Sequence, residues 1–101
     1  FGVMGGQYQA AGHAYVLSQM IDFGLNPQFA LNYPRVFPNN NFLDLENGFD
    51  KEVIDELKIK GHQINYPASP IGGGQIILID EEREVLIGAS DWRKDGLAIG
   101  Y

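Results

Sequence analysis

Two apolar runs near the end of the chain restrict its fold more than any other feature. Residues 75–79 and 85–89 consist largely of isoleucine, leucine and valine, which is typical of buried strands. The five residues between them are all charged, as expected for a solvated turn. The two runs therefore predict an antiparallel hairpin with a charged tip.

Helical patterns precede this hairpin. In residues 10–23 most apolar side chains recur at three- and four-residue spacings, which predicts a helix that ends at Gly24. Asn26 followed by Pro27 is a start signal for a second helix. That helix must be short, because Pro34 disfavours a helical conformation at the residue before it.

A third helix is predicted over residues 50–60, from a cap at Asp50 to Gly61. Its expected buried stripe consists of Val53, Ile54 and Leu57. Residues 1–9 predict a short strand that runs into a glycine turn. The remaining segments predict a polar loop over 38–41, an edge strand over 42–46, a strand over 62–66 and a glycine-rich loop over 68–74. Helices before and between strands indicate an α+β fold, with one domain over residues 1–101.

The composition excludes several classes of partner. A net charge of −6 argues against nucleic acids and against anionic membrane surfaces. No apolar run reaches the ~18 residues of a membrane span, so no membrane partner is expected. The absence of cysteine excludes disulfides, thiolate metal ligands and a cysteine nucleophile. The compartment stays open, because the chain does not begin with Met and an address signal can precede it.

Gly5 and Gly6 form the most informative local feature, at the predicted junction of the first strand and the first helix. Two glycines allow backbone N–H groups to converge on an anion, and the helix dipole adds to the attraction. An oxyanion hole is built in this way. The alternative is an ordinary tight turn, which the spacing alone favours.

No metal or cofactor site is expected elsewhere. Gly72-Gly73-Gly74 lacks the spacing of a phosphate-binding loop and precedes a strand. His13 and His62 have no partner at metal-ligand spacing and are interpreted as capping or surface residues.

A hydroxyl, two carboxylates and a guanidinium occur within six residues near the end of the chain, at Ser90, Asp91, Arg93 and Asp95. A catalytic triad needs an oriented base beside its nucleophile, and the sequence gives no sign of one. A structural ion-pair network is the preferred interpretation.

The order of the motifs along the whole chain resembles that of the γ-glutamyltransferase family. The residues that carry the resemblance are Met4-Gly5-Gly6-Gln7, Gln9, Gly12-His13, Asp22-Phe23-Gly24-Leu25-Asn26-Pro27, Ala30, Pro34-Arg35, Leu57, Gly61-His62, Gly73-Gly74-Gln75, Gly88-Ala89-Ser90-Asp91, Arg93, Gly96, Ala98 and Gly100-Tyr101. Trp92 departs from the proline that the family often has at this position, which affects the local turn.

The resemblance implies a part of the four-layer αββα sandwich of N-terminal-nucleophile hydrolases. It also implies a precursor that cleaves itself and exposes a threonine, which attacks γ-glutamyl amides such as glutathione and forms a γ-glutamyl-enzyme ester. Gly5 and Gly6 match the glycine pair whose amides form the family's oxyanion hole. The chain contains no threonine, so it is expected to be an inactive C-terminal fragment of the small subunit, whose partners are the rest of the precursor and a γ-glutamyl substrate.

Two alternatives remain open at this point. The same framework serves relatives that act on glutaryl-cephalosporins or on poly-γ-glutamate. A chain that lacks its covering layers can instead be a non-catalytic module that self-associates through exposed apolar faces.

Overall fold

The computed structural model describes all 101 residues. The elements follow in the order β1 (Gly2–Met4), α1 (Gln9–Ile21), α2 (Pro27–Asn32), β2 (Val36–Asn39), β3 (Phe42–Leu45), α3 (Lys51–Ile59), β4 (Gln63–Asn65), β5 (Gly73–Asp80) and β6 (Val85–Ser90). Short 3₁₀ helices span Gly6–Tyr8 and Trp92–Lys94. The mixture of helices and mainly antiparallel sheets confirms the α+β prediction.

The chain divides into two compact units. The first consists of residues 1–33 and 72–101, and the second of residues 34–71. The expectation of a single domain over residues 1–101 stays a prediction. No helix in either unit combines the length and the apolar character needed to cross a bilayer.

The first unit is built on an antiparallel sheet in the order β1, β5, β6. The predicted hairpin of β5 and β6 is confirmed, with Gln75 opposite Ser90 and Asp80 opposite Val85. The prediction of a loop over 68–74 is wrong at its end, because Gly73 and Gly74 belong to β5 and pair with β1. Local composition indicates a loop there, whereas a long-range pairing partner imposes a strand.

Helices α1 and α2 cover one face of this sheet. The buried apolar residues of the unit are Val3, Tyr8, Val16, Ala30, Leu31, Ile76 and Ala89. The opposite face of the hairpin is open: the exposed fractions of Ile77, Ile79 and Leu86 lie between 67% and 68%. The C-terminal tail lies against this face only near Gly88, where an added Cβ atom would be 3.1 Å from the Ala98 Cβ. The sheet thus has one face covered by helices and one apolar face that is covered only in part.

The start and the end predicted for the second helix are confirmed, whereas α1 ends at Ile21, two residues before the predicted end at Phe23. Gly24 has a φ of 69°, the left-handed conformation that follows a helix end. The Asn26 side chain accepts a hydrogen bond from the Phe29 N–H at 2.9 Å, and Pro27 occupies the first helical position. Helix α2 ends at Asn32, before Pro34.

The second unit contains a mixed sheet in the order β2, β3, β4. The prediction that 42–46 is an edge strand is wrong, because β3 lies in the centre, antiparallel to β2 and parallel to β4. The polar loop predicted over 38–41 is also partly wrong, because Pro38 and Asn39 belong to β2. Asn40 and Asn41 alone form the turn, with φ values of 47° and 67° that suit a two-residue hairpin loop.

Helix α3 forms where predicted, but its expected stripe of Val53, Ile54 and Leu57 is not buried. No residue of α3 is buried, and the exposed fraction of Val53 is 44%. Among the strands of its unit, the helix packs chiefly against β4. A periodic apolar stripe predicts a helix, but it does not supply the layer that would cover it.

Candidate functional site

The turn between β1 and α1 has a geometry that requires glycine. Gly5 has a φ of 142° and Gly6 a φ of 57°, both in the region that L side chains rarely adopt. The Tyr8 N–H donates to the Gly5 carbonyl at 3.0 Å, which closes a 3₁₀ turn that continues directly into α1. A strand thereby becomes a helix within two residues.

The backbone amides of Gly5 and Gly6 donate no hydrogen bond within the chain. The β1 ladder ends at Met4, and both glycines are exposed. Because they precede a helical segment, its dipole places positive potential at these N–H groups. The arrangement is compatible with the anion-binding turn expected from the sequence, and its role stays a prediction.

The Tyr8 ring fixes this turn from its buried side. A Cβ atom built on Gly12 would come within 2.6 Å of Tyr8 Cε1, and one built on Gly72 within 2.8 Å of Tyr8 Cδ1. A Cβ atom on Gly5 would be 3.1 Å from the Gly72 Cα and 3.3 Å from the tyrosine. The ring therefore occupies a slot lined by three glycines. The sequence interpretation missed Tyr8, although an aromatic residue among spaced glycines is a usable signal for such a slot.

His13 lies on α1 and contacts β1. Its Nε2 atom is 3.1 Å from the Val3 amide nitrogen, and its Nδ1 atom is 2.7 Å from the Gln9 carbonyl oxygen. The Phe1 ring lies 5.5 Å away, centroid to centroid. His13 is thus neither a cap nor a free surface residue, whereas His62 is exposed as expected and its ring makes no hydrogen bond.

The ion-pair network predicted near the end of the chain is confirmed. Asp91 is fully buried; its Oδ2 accepts from the Gly74 N–H at 2.9 Å, and its Oδ1 accepts from Arg93 Nη1 at 3.1 Å. Arg93 also donates to the carbonyls of Leu31 at 2.7 Å and Tyr33 at 3.0 Å. This cluster ties the segment after β6 to β5 and to the end of α2.

The other members of that sequence cluster take no part in it. Asp95 is exposed and ends the 3₁₀ helix in a left-handed conformation, with a φ of 51°. The buried Ser90 hydroxyl has no hydrogen-bond partner, so no base is placed to activate it. No three His, Asp or Glu side chains converge as a metal site would require.

Comparison with known proteins places these features in a family. The sequence model described as Gamma-glutamyltranspeptidase matches residues 1–101. The glutathione hydrolase-like YwrD proenzyme of Bacillus subtilis is 29% identical over 99% of this chain and 21% of its own length.

Two solved structures superpose on nearly the whole chain. The cephalosporin acylase from Bacillus halodurans is 39% identical, with a TM-score of 0.87 over 99% of this chain and 20% of that one. The gamma-glutamyltranspeptidase from Pseudomonas nitroreducens complexed with L-DON is 26% identical, with a TM-score of 0.83 over 99% of this chain and 52% of that one. These similarities confirm the fold of an N-terminal-nucleophile hydrolase.

The chain spans about a fifth of the length of the YwrD relative and of the acylase. The match nevertheless covers every residue, from the strand before the glycine pair to the segment after the hairpin. The chain belongs to the gamma-glutamyltranspeptidase family.

Proposed function

We propose that this chain is the C-terminal part of a precursor that hydrolyses or transfers γ-glutamyl groups from amides such as glutathione. In this proposal Gly5 and Gly6 supply the backbone donors of the oxyanion hole. The observation that carries the proposal is the pair of exposed amides at the start of a helical segment, with no hydrogen-bond partner inside the chain. The family match supplies the reaction class.

The chemistry requires a nucleophile from outside this chain, which contains no threonine. A threonine at a new N-terminus attacks the γ-carbonyl carbon, and the carbonyl oxygen becomes an oxyanion as the tetrahedral centre forms. The two glycine amides stabilise that charge, at about 3 kcal/mol of barrier for each donor. The free α-amine of that threonine takes the hydroxyl proton and passes it to the nitrogen of the breaking C–N bond. The amine then leaves, and water or an amino-acid acceptor resolves the γ-glutamyl ester.

The open face of the first unit's sheet supports a larger assembly. Ile77, Ile79 and Leu86 form an apolar surface on the hairpin that stays 67% to 68% exposed, although the C-terminal tail lies beside it at Gly88. A sheet face of this composition is normally buried under another layer. The second sheet of an αββα sandwich, contributed by the rest of the precursor, meets that need.

The first experiment compares the isolated chain with the full-length precursor, using a chromogenic γ-glutamyl anilide. The matured precursor is expected to release the aniline, and the isolated chain is expected to be inactive because it lacks the nucleophile. Turnover by the isolated chain would refute the proposal.

The second experiment tests the glycine pair with a matched control. Gly6 and Gly24 both have a left-handed φ, 57° and 69°, and a Cβ atom added at either meets nothing within 4 Å. Alanine at either position therefore carries a similar backbone cost. Alanine keeps the N–H of position 6 but adds a methyl group beside the site where the substrate oxygen would bind, so Gly6→Ala is expected to lower kcat at least tenfold, whereas Gly24→Ala leaves it unchanged. Equal activity of the two variants would contradict a close approach of the substrate oxygen to this turn.

Two other functions are carried by specific observations. The 39% identity to a cephalosporin acylase favours a glutaryl-cephalosporin amide as an alternative substrate. Poly-γ-glutamate is a further alternative substrate. Parallel assays of the matured precursor on a γ-glutamyl anilide, a glutaryl-cephalosporin and poly-γ-glutamate decide among them. The open sheet face favours a self-associating, non-catalytic module. Sedimentation of the chain at two concentrations tests that function, since a concentration-independent monomer contradicts it.

A further inference from the structure

We infer that His13 is a positioning residue for the glycine turn, and that it acts through the Val3 amide. The inference rests on the function proposed above for Gly5 and Gly6. It assigns a role to a side chain that need not touch the substrate.

The hydrogen bonds of the ring fix its tautomer. The Val3 N–H can only donate, so the Nε2 atom 3.1 Å away must accept with its lone pair. The proton of the neutral ring therefore lies on Nδ1, which donates it to the Gln9 carbonyl at 2.7 Å. Both nitrogens are used, and the imidazole links β1 to the first turn of α1.

The Val3 amide has no other partner in the sheet. Strand β1 is an edge strand, and Val3 lies opposite Gly74, whose own N–H is bonded to Asp91. A pair that does not exchange hydrogen bonds directs its N–H groups away from the partner strand. Without His13, the Val3 amide would be an unpaired donor on the edge of the sheet.

The glycine pair lies between the two points that this imidazole joins. Val3 is two residues before Gly5, and Gln9 is three residues after Gly6. The Tyr8 ring packs against the turn from the buried side. The His13 ring connects the two ends of the turn, through the Val3 amide and the Gln9 carbonyl. The direction of the two glycine amides follows from the angle between β1 and α1. A loosened link lowers the fraction of molecules in which both amides point at one oxyanion, which lowers kcat more than substrate binding.

The test uses the full-length precursor after maturation, with three variants. His13→Leu removes the acceptor and roughly keeps the volume. His13→Gln keeps an acceptor, because the Oε1 of glutamine reaches the position of Nε2. His62→Leu is the matched control, since that ring is exposed and makes no hydrogen bond. Turnover of L-γ-glutamyl-p-nitroanilide gives kcat and KM, and hydrogen exchange measured by mass spectrometry gives the protection of residues 1–8.

For His13→Leu we expect kcat to fall about threefold to tenfold, with KM within twofold of wild type and faster exchange in residues 1–8. His13→Gln is expected to restore both readouts to within twofold, and His62→Leu to change neither. Wild-type kcat in His13→Leu, or equal losses in the leucine and glutamine variants, would overturn the inference.

The exchange readout separates this inference from the proposed function. If the wild-type precursor is inactive on the anilide, the proposed function fails. Faster exchange in His13→Leu, with recovery in His13→Gln, still supports the link from His13 to Val3. Unchanged exchange in His13→Leu overturns that link. If the leucine variant does not accumulate as folded protein, His13→Gln decides alone. Wild-type kcat then supports an acceptor role, and a tenfold loss overturns it.

Discussion

Removal of the Asp91 carboxylate is expected to destabilise the chain more than any surface substitution. The side chain is completely buried and accepts hydrogen bonds from the Gly74 amide, the Arg93 amide and the Arg93 guanidinium. Asp91→Ala leaves the Gly74 N–H without an acceptor and a buried positive charge without its counter-ion. Breaking a buried ion pair from one side costs about 3–5 kcal/mol, and the loss of one buried acceptor costs about 1–3 kcal/mol.

The measurement is urea unfolding followed by circular dichroism and by the fluorescence of Trp92, the only tryptophan of the chain. The fluorescence of Trp92 reports on the structure around the ion pair, because the Arg93 guanidinium carbon lies 4.8 Å from the centroid of the Trp92 ring. Asp55→Ala is the control, since the Lys51–Asp55 pair is exposed and its loss is expected to change the urea midpoint only slightly. A loss below about 1 kcal/mol for Asp91→Ala would refute this account of the buried pair.

Three further outcomes are expected. Tyr8→Ala empties the glycine-lined slot and should lower the free energy of unfolding in urea by about 3–5 kcal/mol. Tyr66→Ala, at an exposed site, should lower it far less. Equal losses in the two variants would contradict the packing role of the Tyr8 ring. Asn41→Val places a β-branched residue at a φ of 67° and should cost about 1–2 kcal/mol in the same assay, and no loss would contradict the left-handed turn. The hydrogen bond from Lys51 at 2.6 Å, together with its charge, holds the pKa of the Asp55 carboxyl below its ordinary value of 3.8. Because this pKa is lowered on folding, the pair's contribution to stability is present above pH 3.8 and is lost as the pH falls through the lower folded-state value. NMR titration of the Asp55 carboxyl should show this lowered pKa, and Lys51→Ala should remove most of the shift, leaving the smaller effect of the Lys58 charge.

The elements that could be predicted from the sequence are those that local chemistry dictates. Asn26 and Pro27 begin a helix because a side-chain acceptor and a fixed φ act within one turn. The charged residues between β5 and β6 likewise force a turn wherever the rest of the chain lies. These predictions need no knowledge of distant residues.

The elements that were predicted wrongly depend on distant partners. Gly73 and Gly74 become a strand only because β1 pairs with them from the far end of the chain. Strand β3 is central because β4 adds in parallel beside it, and no local pattern distinguishes an edge strand from a central one of four residues. The stripe on α3 was recognised correctly as helical and wrongly as buried.

The residues of the candidate site also divide into those that local sequence predicts and those that depend on distant partners. The glycine pair was visible as a motif, and its positive φ values follow from its residue type. The Tyr8 slot and the His13 link were not predicted, because each joins residues from separate elements. The resemblance to a family identified Gly5 and Gly6, but it gave no account of what holds them in place.

The interruption of the first unit by residues 34–71 has a consequence for how the protein folds. Strand β1 ends at Met4, but its strand partner within this chain, β5, begins only at Gly73. Closing so long a loop carries an entropic cost before any contact between the two strands forms, and such high contact order is typical of slow folding. The bend at Gly5 and Gly6 therefore acquires its final conformation late, after the whole intervening segment has been synthesised.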